Sequence, residues 1–222
     1  MSSDLLKPTP SSWFALIFNT YLQFLFKRQF DGVYLSADYK PSPNDTTVWF
    51  LNHYTWWDAL IPFLLNHQVQ HQRMCGLMDQ EQLLKFPVFR KMGVFSVNRA
   101  NASSALRSLE FTKELLEEEF NAFYFFPQGK IEAEWVPSLR FESGIGWLYQ
   151  HLQQAHFVPI ATTMNTRYTQ KPRLFIRIGS PVITLEQDRK TLTRIMEKAM
   201  HTELEVVRAL AEDRSPTVER LL

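Results

Sequence analysis

The chain has 222 residues, enough for one large domain or two small ones and for a substantial buried core. Its 24 basic and 23 acidic side chains leave a formal net charge of +1, which removes any global argument for nucleic acid, and no nucleic-acid partner is predicted. A single cysteine, Cys75, excludes an internal disulfide and any zinc-finger spacing, predicts no metal site, and fits a reducing compartment.

The aromatic content is high, with 18 Phe, 7 Tyr and 6 Trp, residue types that serve both protein cores and membrane interfaces. Residues 1–11 carry two prolines and read as a flexible lead-in without the basic start and small-residue cleavage site of a secretory signal. Ser12 caps a predicted helix over residues 13–28, in which Trp13, Phe14, Leu16, Ile17, Phe18, Tyr21, Leu22, Phe24, Leu25 and Phe26 leave almost no polar face. The helix ends in Lys27-Arg28 and is shorter than the roughly 20 apolar residues of a membrane span. Two readings stand side by side: a helix lying in a bilayer interface with its cations at anionic head groups, and a helix packed into the protein's own core.

Residues 32–37 alternate as a strand, residues 38–45 form a loop, and residues 46–52 (TTVWFLN) form a buried strand. Directly after it stands Asn52-His53-Tyr54-Thr55-Trp56-Trp57-Asp58, an H-x4-D arrangement. A neutral imidazole can take a proton from a hydroxyl near neutral pH, and a carboxylate on its other nitrogen fixes the tautomer and stabilises the imidazolium. Residues five apart on one helix point about 140° apart, so the pair requires a bend. His53 is placed in a turn, with Thr55 as N-cap and Asp58 in the first turn of a helix reaching about residue 66. The same residues satisfy a plain capping box with His53 as an ordinary turn residue, and the local sequence leaves both readings open.

His67 and His71, four apart but without a third ligand, read as solvated loop residues. Residues 74–78 form a buried strand, Asp79 caps a helix through residue 86, and residues 93–99 form a β-type run ending on Arg99, which suits either a bidentate phosphate contact or a surface salt bridge. An amphipathic helix starting at Asn101 or Ser103 runs to about residue 120. Residues 122–126 (AFYFF) form another buried strand, broken by Pro127-Gln128-Gly129-Lys130, which is equally an anion or oxyanion site and a common turn. A mixed-charge loop over residues 131–140 precedes a helix over residues 141–152. Strands follow at 157–162 and 174–178, with Arg167, Lys171 and Arg173 in a loop between them, and a last helix spans about 185–211. Alternating strands and helices predict an α/β fold: one domain with a mixed, largely buried sheet flanked by helices, plus the N-terminal aromatic helix.

Three motifs thus lie at strand ends, where such a sheet builds its site, and their order resembles the glycerolipid acyltransferase family, which includes the 1-acylglycerol-3-phosphate and lysophospholipid acyltransferases. Asn52, His53 and Asp58 match its N-H-x4-D block. Gly93 through Arg99 resembles its G-x-x-F/I-x-x-R block, Phe126-Pro127-Gln128-Gly129-Lys130 matches part of its F-P-E-G-T-R-S block, and Val158-Pro159-Ile160 matches its V-P-I/V block. The third block departs at Gln128 and at Lys130-Ile131-Glu132. In the family that block is associated with a phosphate-bearing acceptor, so either Lys130 replaces the missing cation or the acceptor is a neutral or glycosylated hydroxyl that does not require one.

The resemblance implies an acyltransferase-like domain over residues 31–222 preceded by a lead-in and interface helix over residues 1–30, acting peripherally on the cytoplasmic side of a membrane. It implies transfer of a fatty acyl group to the hydroxyl of a lysophospholipid or other lipid, with no cofactor and with acyl-coenzyme A or acyl carrier protein as donor. His53 and Asp58 would be catalytic, and Arg99, Gln128, Gly129 and Lys130 would bind substrate. Backbone N–H groups near Gly129 are a candidate oxyanion site. Two rivals are a thioester hydrolase using the same pair on water, and a non-catalytic protein that binds lipid or membrane. Oligomeric state is open.

Overall fold

All five residues of β2 (Thr47–Leu51) are buried. Val48 and Phe50 enter one apolar cluster while Trp49 and Leu51 enter another, so this strand is covered on both faces. The computed structural model describes residues 5–99, 101–134, 139–213 and 218–222. Every predicted strand is present: β1 (Gly32–Ala37), β3 (Met74–Asp79), β4 (Val94–Val97), β5 (Ala122–Phe125), β6 (His156–Asn165) and β7 (Arg173–Ile178). A two-residue strand, β8 (Glu219–Arg220), was not anticipated.

The strands form one sheet in the order β4-β3-β5-β2-β6-β7-β1-β8. From β4 to β6 all neighbours run parallel, β7 reverses against β6, and β1 returns parallel to β7, so the sheet is mixed as expected. Helices α1 (Ser12–Gln29), α2 (Ile61–Leu65) and α3 (Gln80–Lys85) cover one face, contributing Leu22, Phe26, Ile61, Leu64 and Leu83 to its core. Helices α4 (Ala102–Glu118), α5 (Gly144–His151) and α6 (Arg189–Glu212) cover the other through Leu115, Leu116, Ile145, Leu148, Met196, Met200 and Leu204.

One side of the N-terminal helix packs into the core, as one of its two readings expects. Leu22 and Phe26 are buried in the core, with Phe14 and Phe18 packed beside them, while Trp13, Leu16, Ile17, Tyr21 and Phe24 form an exposed apolar stripe on the opposite side. No helix among the described residues is long and apolar enough to cross a membrane.

Several local expectations are corrected. Residues 5–11 are not a free lead-in: Leu6 N–H donates to Ser96 Oγ at 2.8 Å, Ser96 N–H donates to Leu6 O at 3.1 Å, and the amides of Thr9 and Ser11 reach Arg90 O and Lys91 O. Leu6 thereby pairs with the edge of β4, and Thr9 and Ser11 with the turn that precedes it. The helix expected over 55–66 is a 3-10 turn (Trp56–Leu60), then α2, then a π turn (Asn66–Gln70) that ends at left-handed His71. Pro62 sits in the first turn of α2, where its missing N–H costs nothing. Asn66 closes the far end by accepting from Gln72 N–H at 3.1 Å and donating to Gln72 O at 2.9 Å.

The helix expected from residue 141 begins only at Gly144, because the amides of Phe141 and Glu142 are drawn away to Glu197 Oε1 and Pro127 O. Likewise α6 starts at Arg189 rather than near 185, since Asp188 is its N-cap and accepts from Thr191 N–H at 2.8 Å. Arg173 opens β7 rather than lying in a loop, buried with its guanidinium against the Tyr168 and Phe175 rings.

Candidate active site

The site grows from the carboxyl end of β2. Asn52 is buried and extends the ladder to β6 by one side-chain rung, its Oδ1 accepting from Thr162 N–H at 2.8 Å and its Nδ2 donating to Thr162 O at 3.1 Å. This clamp holds the strand end from which the chain turns at His53. Thr55 then caps the 3-10 turn, accepting from Trp57 N–H at 3.1 Å.

Asp58 is fully buried, and Oδ2 accepts the amides of both Tyr54 and Thr55 at 2.7 Å. The same oxygen lies 3.1 Å from His53 Nδ1. The capping box and the histidine–carboxylate pair, which the sequence presents as alternatives, are one structure. With Nδ1–H donating to Asp58, the lone pair of the neutral ring resides on Nε2. The imidazole is wedged against Phe126, ring centroids 4.4 Å apart, and its side chain is 18% exposed.

The turn after β5 supports the other side of the histidine. Gln128 is buried; its Oε1 accepts His53 N–H at 2.6 Å and its Nε2 donates to Glu132 Oε2 at 2.9 Å. Glu132 N–H returns to His53 O at 3.0 Å, and Glu132 Oε1 pairs with Lys130 Nζ at 3.0 Å. Hydrogen bonds from Gln128 first and Lys130 second hold the Glu132 carboxyl below its ordinary range. Gly129 takes the left-handed region at φ +69°, and a Cβ there would lie 2.9 Å from Arg99 Nη1, so the close approach of Arg99 to this turn depends on a glycine. Gly129 N–H is already committed to Phe126 O at 3.0 Å, which removes that amide from the expected oxyanion donors.

His53, Arg99, Gly129 and Lys130 meet at one groove of about 450 Å³. Leu77, Met78, Phe86, Val88, Phe89 and Phe126 line its apolar length, Trp56 flanks the histidine, and Asp79, Gln82, Arg99 and Lys130 make the polar part. Asp79 pairs with Arg99 at 3.6 Å through Oδ2 while Oδ1 accepts Glu81 N–H at 3.0 Å as the cap of α3. Gln128 lies behind the histidine, on a separate small cavity with Tyr54, Glu134, His201 and Arg208. Sequence reasoning named His53, Asp58, Arg99, Gln128, Gly129 and Lys130. It missed Glu132 and Asp79 as members of the site; the first was legible only as part of a charged loop and the second as a helix cap. His67 and His71 lie in and just after the π turn, and no cluster of metal-ligating side chains occurs among the described residues.

The parallel part of the sheet, with its polar groups gathered at the carboxyl ends of β2, β3, β4 and β5, has the usual placement of an α/β site. No curated protein matches the chain. Among solved structures, the crystal structure of the 1-acyl-sn-glycerophosphate (LPA) acyltransferase PlsC from Thermotoga maritima superposes with a TM-score of 0.59 at 13% identity, covering 90% of this chain and 81% of that one. At that identity the likeness is one of fold. The family model described as Acyltransferase matches residues 36–163, more than half the chain and a span holding the histidine, its carboxylate and the turn after β5, and the protein belongs to the acyltransferase family.

Proposed function

We propose that the protein moves a fatty acyl group from a thioester, acyl-coenzyme A or acyl carrier protein, to the hydroxyl of a lipid acceptor, with His53 as general base. One observation carries this reading: a histidine whose Nδ1 is tied to the buried Asp58 at 3.1 Å sits on an apolar groove of a size suited to a hydrocarbon chain. His53 Nε2 removes the proton of the acceptor hydroxyl as its oxygen attacks the thioester carbonyl. The tetrahedral intermediate collapses by breaking the carbon–sulfur bond, and the leaving thiolate takes the proton back from the imidazolium. Asp58 holds the productive tautomer and stabilises the transient positive charge. Arg99 and Lys130 hold the polar part of a substrate, Gly129 lets Arg99 approach, and Gln128 positions the His53 backbone. The exposed stripe of α1, ending in Lys27 and Arg28, supports docking on a membrane surface from which both lipids are drawn.

The test supplies labelled palmitoyl-coenzyme A, and separately palmitoyl acyl carrier protein, with a total lipid extract to wild type and His53→Ala, and identifies products by mass spectrometry. A new acylated lipid formed by wild type and at least about 100-fold more slowly by the variant is expected. Free fatty acid as the sole product with either donor would convert the assignment to thioester hydrolysis.

A further inference from the structure

The backbone of His53 is held on both sides from the turn after β5. Its N–H donates to Gln128 Oε1 at 2.6 Å, and its carbonyl accepts the amide of Glu132 at 3.0 Å. Gln128 and Glu132 lie behind the histidine, in the wall of the small cavity, and neither lines the apolar groove. They meet there, with Gln128 Nε2 donating to Glu132 Oε2 at 2.9 Å.

A carboxamide can present either end, because its oxygen and its NH2 group differ little in size. Turned over, Gln128 would aim that NH2 group at the His53 N–H, donor against donor, and release the histidine backbone on that side. The neighbour decides between the two. An ionised carboxylate only accepts, so Glu132 Oε2 draws the Nε2 end to itself and leaves Oε1 for His53. Hydrogen bonds from Gln128 first and Lys130 second keep the Glu132 carboxyl ionised by holding it below its ordinary range. The amide of Glu132 on His53 O ties the same residue to the strand end that it organises.

Resting on the acyl-transfer reading above, we propose that Glu132 is a positioning residue for the general base: it sets the direction of the Gln128 carboxamide, and through it the backbone placement from which the His53 ring meets Asp58 and the acceptor hydroxyl. The pair needs one carboxylate and one carboxamide, and the two can exchange places. A carboxylate at position 128 would accept both the His53 N–H and a carboxamide at position 132, which again leaves a single direction.

The experiment compares wild type with Glu132→Gln, Gln128→Glu and the exchange variant that combines them, using labelled palmitoyl donor on either carrier and a total lipid extract. Glu132→Gln leaves two carboxamides that can pair in either direction, and kcat should fall about three- to tenfold. Gln128→Glu sets two carboxylates at the 2.9 Å of the present contact, where like charges repel, and kcat should fall at least about tenfold. KM for the palmitoyl donor should stay within about twofold in both, since neither residue lines the groove. The exchange variant should recover kcat to within about threefold of wild type. An exchange variant as slow as Gln128→Glu, the result of a merely structural Glu132, overturns the inference, and so does a loss confined to KM. If Gln128→Glu is insoluble, the comparison runs against Glu132→Gln: a faster exchange variant supports the inference and a slower one overturns it. The nitrogen shifts of the His53 ring, assigned by their absence from His53→Ala, read its placement without turnover. Wild type and the exchange variant should hold the Nδ1–H tautomer and Gln128→Glu a mixture, whereas one tautomer in all three overturns the inference. Wild type that transfers no acyl group while the tautomers follow this pattern sinks the acyl-transfer reading alone. Transfer by wild type without recovery in the exchange variant sinks the positioning role alone.

Discussion

His53 Nδ1 and Asp58 Oδ2 are 3.1 Å apart, and that same oxygen already accepts two backbone amides, from Tyr54 and Thr55. The carboxylate is therefore fixed before the imidazole meets it, and the histidine docks against a rigid acceptor. Asp58→Asn preserves the shape but offers an amide whose N–H groups conflict with those donors or with the required tautomer. It should lower the rate of transfer by about 10⁴-fold. His53→Ala should cost about 10² to 10⁴ with little change in melting temperature, because a partly exposed ring is lost and Asp58 keeps its amides. Asp58→Ala should lose rate and also melt earlier, since the cap is worth about 1 kcal/mol. Rates and thermal melts on the three variants separate these effects.

Gly129 and Gly93 both have positive φ, +69° and +89°, yet substitution should act differently at each. An alanine Cβ at 129 would meet Arg99 Nη1, the end of a flexible side chain, at 2.9 Å. At 93 it would meet the carbonyl oxygen of Met74 at 2.4 Å, which is backbone in the sheet. Gly129→Ala should fold with a loss of about 1–2 kcal/mol and raise the KM for acceptor more than it lowers kcat, because Arg99 is displaced. Gly93→Ala adds the steric overlap to the same backbone strain and should give mostly insoluble protein. Solubility, chemical denaturation and steady-state kinetics decide between them.

What the sequence disclosed and what it hid divide by range. The histidine–aspartate pair was legible because strand, turn and cap lie within seven consecutive residues, and the burial of β2 and β5 followed from unbroken apolar runs. The Arg99–Asp79 pair was not, because it joins the ends of two adjacent strands whose register only the folded sheet defines. Gln128 and Glu132 looked like a turn and a charged loop; their bonds to the His53 backbone depend on β5 lying beside β2. Leu6 and Ser96 failed the same way, since nothing local in a proline-rich start indicates pairing with a strand ninety residues on. The helix after His53 was misread in form because tertiary bonds at Asn66 and a proline at its start overrode a regular α period.

Cys75 lies fully buried in β3, and that burial pushes its thiol well above the ordinary value. The native protein should resist N-ethylmaleimide at pH 8 and react at one site once unfolded, so labelling rate reports global opening. The same shift fixes a sign. Above the unfolded thiol value, near 8.5, the unfolded chain releases a proton that the folded one keeps, so stability falls as pH rises. Tyr39, pushed up to about 12 mainly by burial, continues the trend above pH 10. Chemical denaturation at pH 7.5, 9 and 10.5 should show falling midpoints, and Cys75→Ala should flatten the first interval.

The exposed stripe of α1 carries the membrane half of the proposed function. Leu16 and Ile17 are 65% and 58% exposed beside Trp13, Tyr21 and Phe24, while the opposite side of the helix is sealed into the core by Leu22 and Phe26. Converting both to glutamate removes apolar area from the stripe and adds repulsion from anionic lipid without touching packed residues, so the melting free energy should stay within about 0.5 kcal/mol. Burying one leucine or isoleucine side chain is worth about 1.5–3 kcal/mol, and loss of two, even if only partly inserted, should weaken vesicle binding by at least about tenfold. Lys27 and Arg28 add about 1 kcal/mol each against an anionic surface, so wild-type binding should decline with salt and rise with the fraction of anionic lipid. Co-sedimentation with vesicles of graded anionic content reads both dependences. Equal binding of wild type and Leu16→Glu, Ile17→Glu would show that the stripe is not the docking face, and transfer to water-soluble short-chain acceptors by the double variant at the wild-type rate would locate its defect in docking rather than in chemistry.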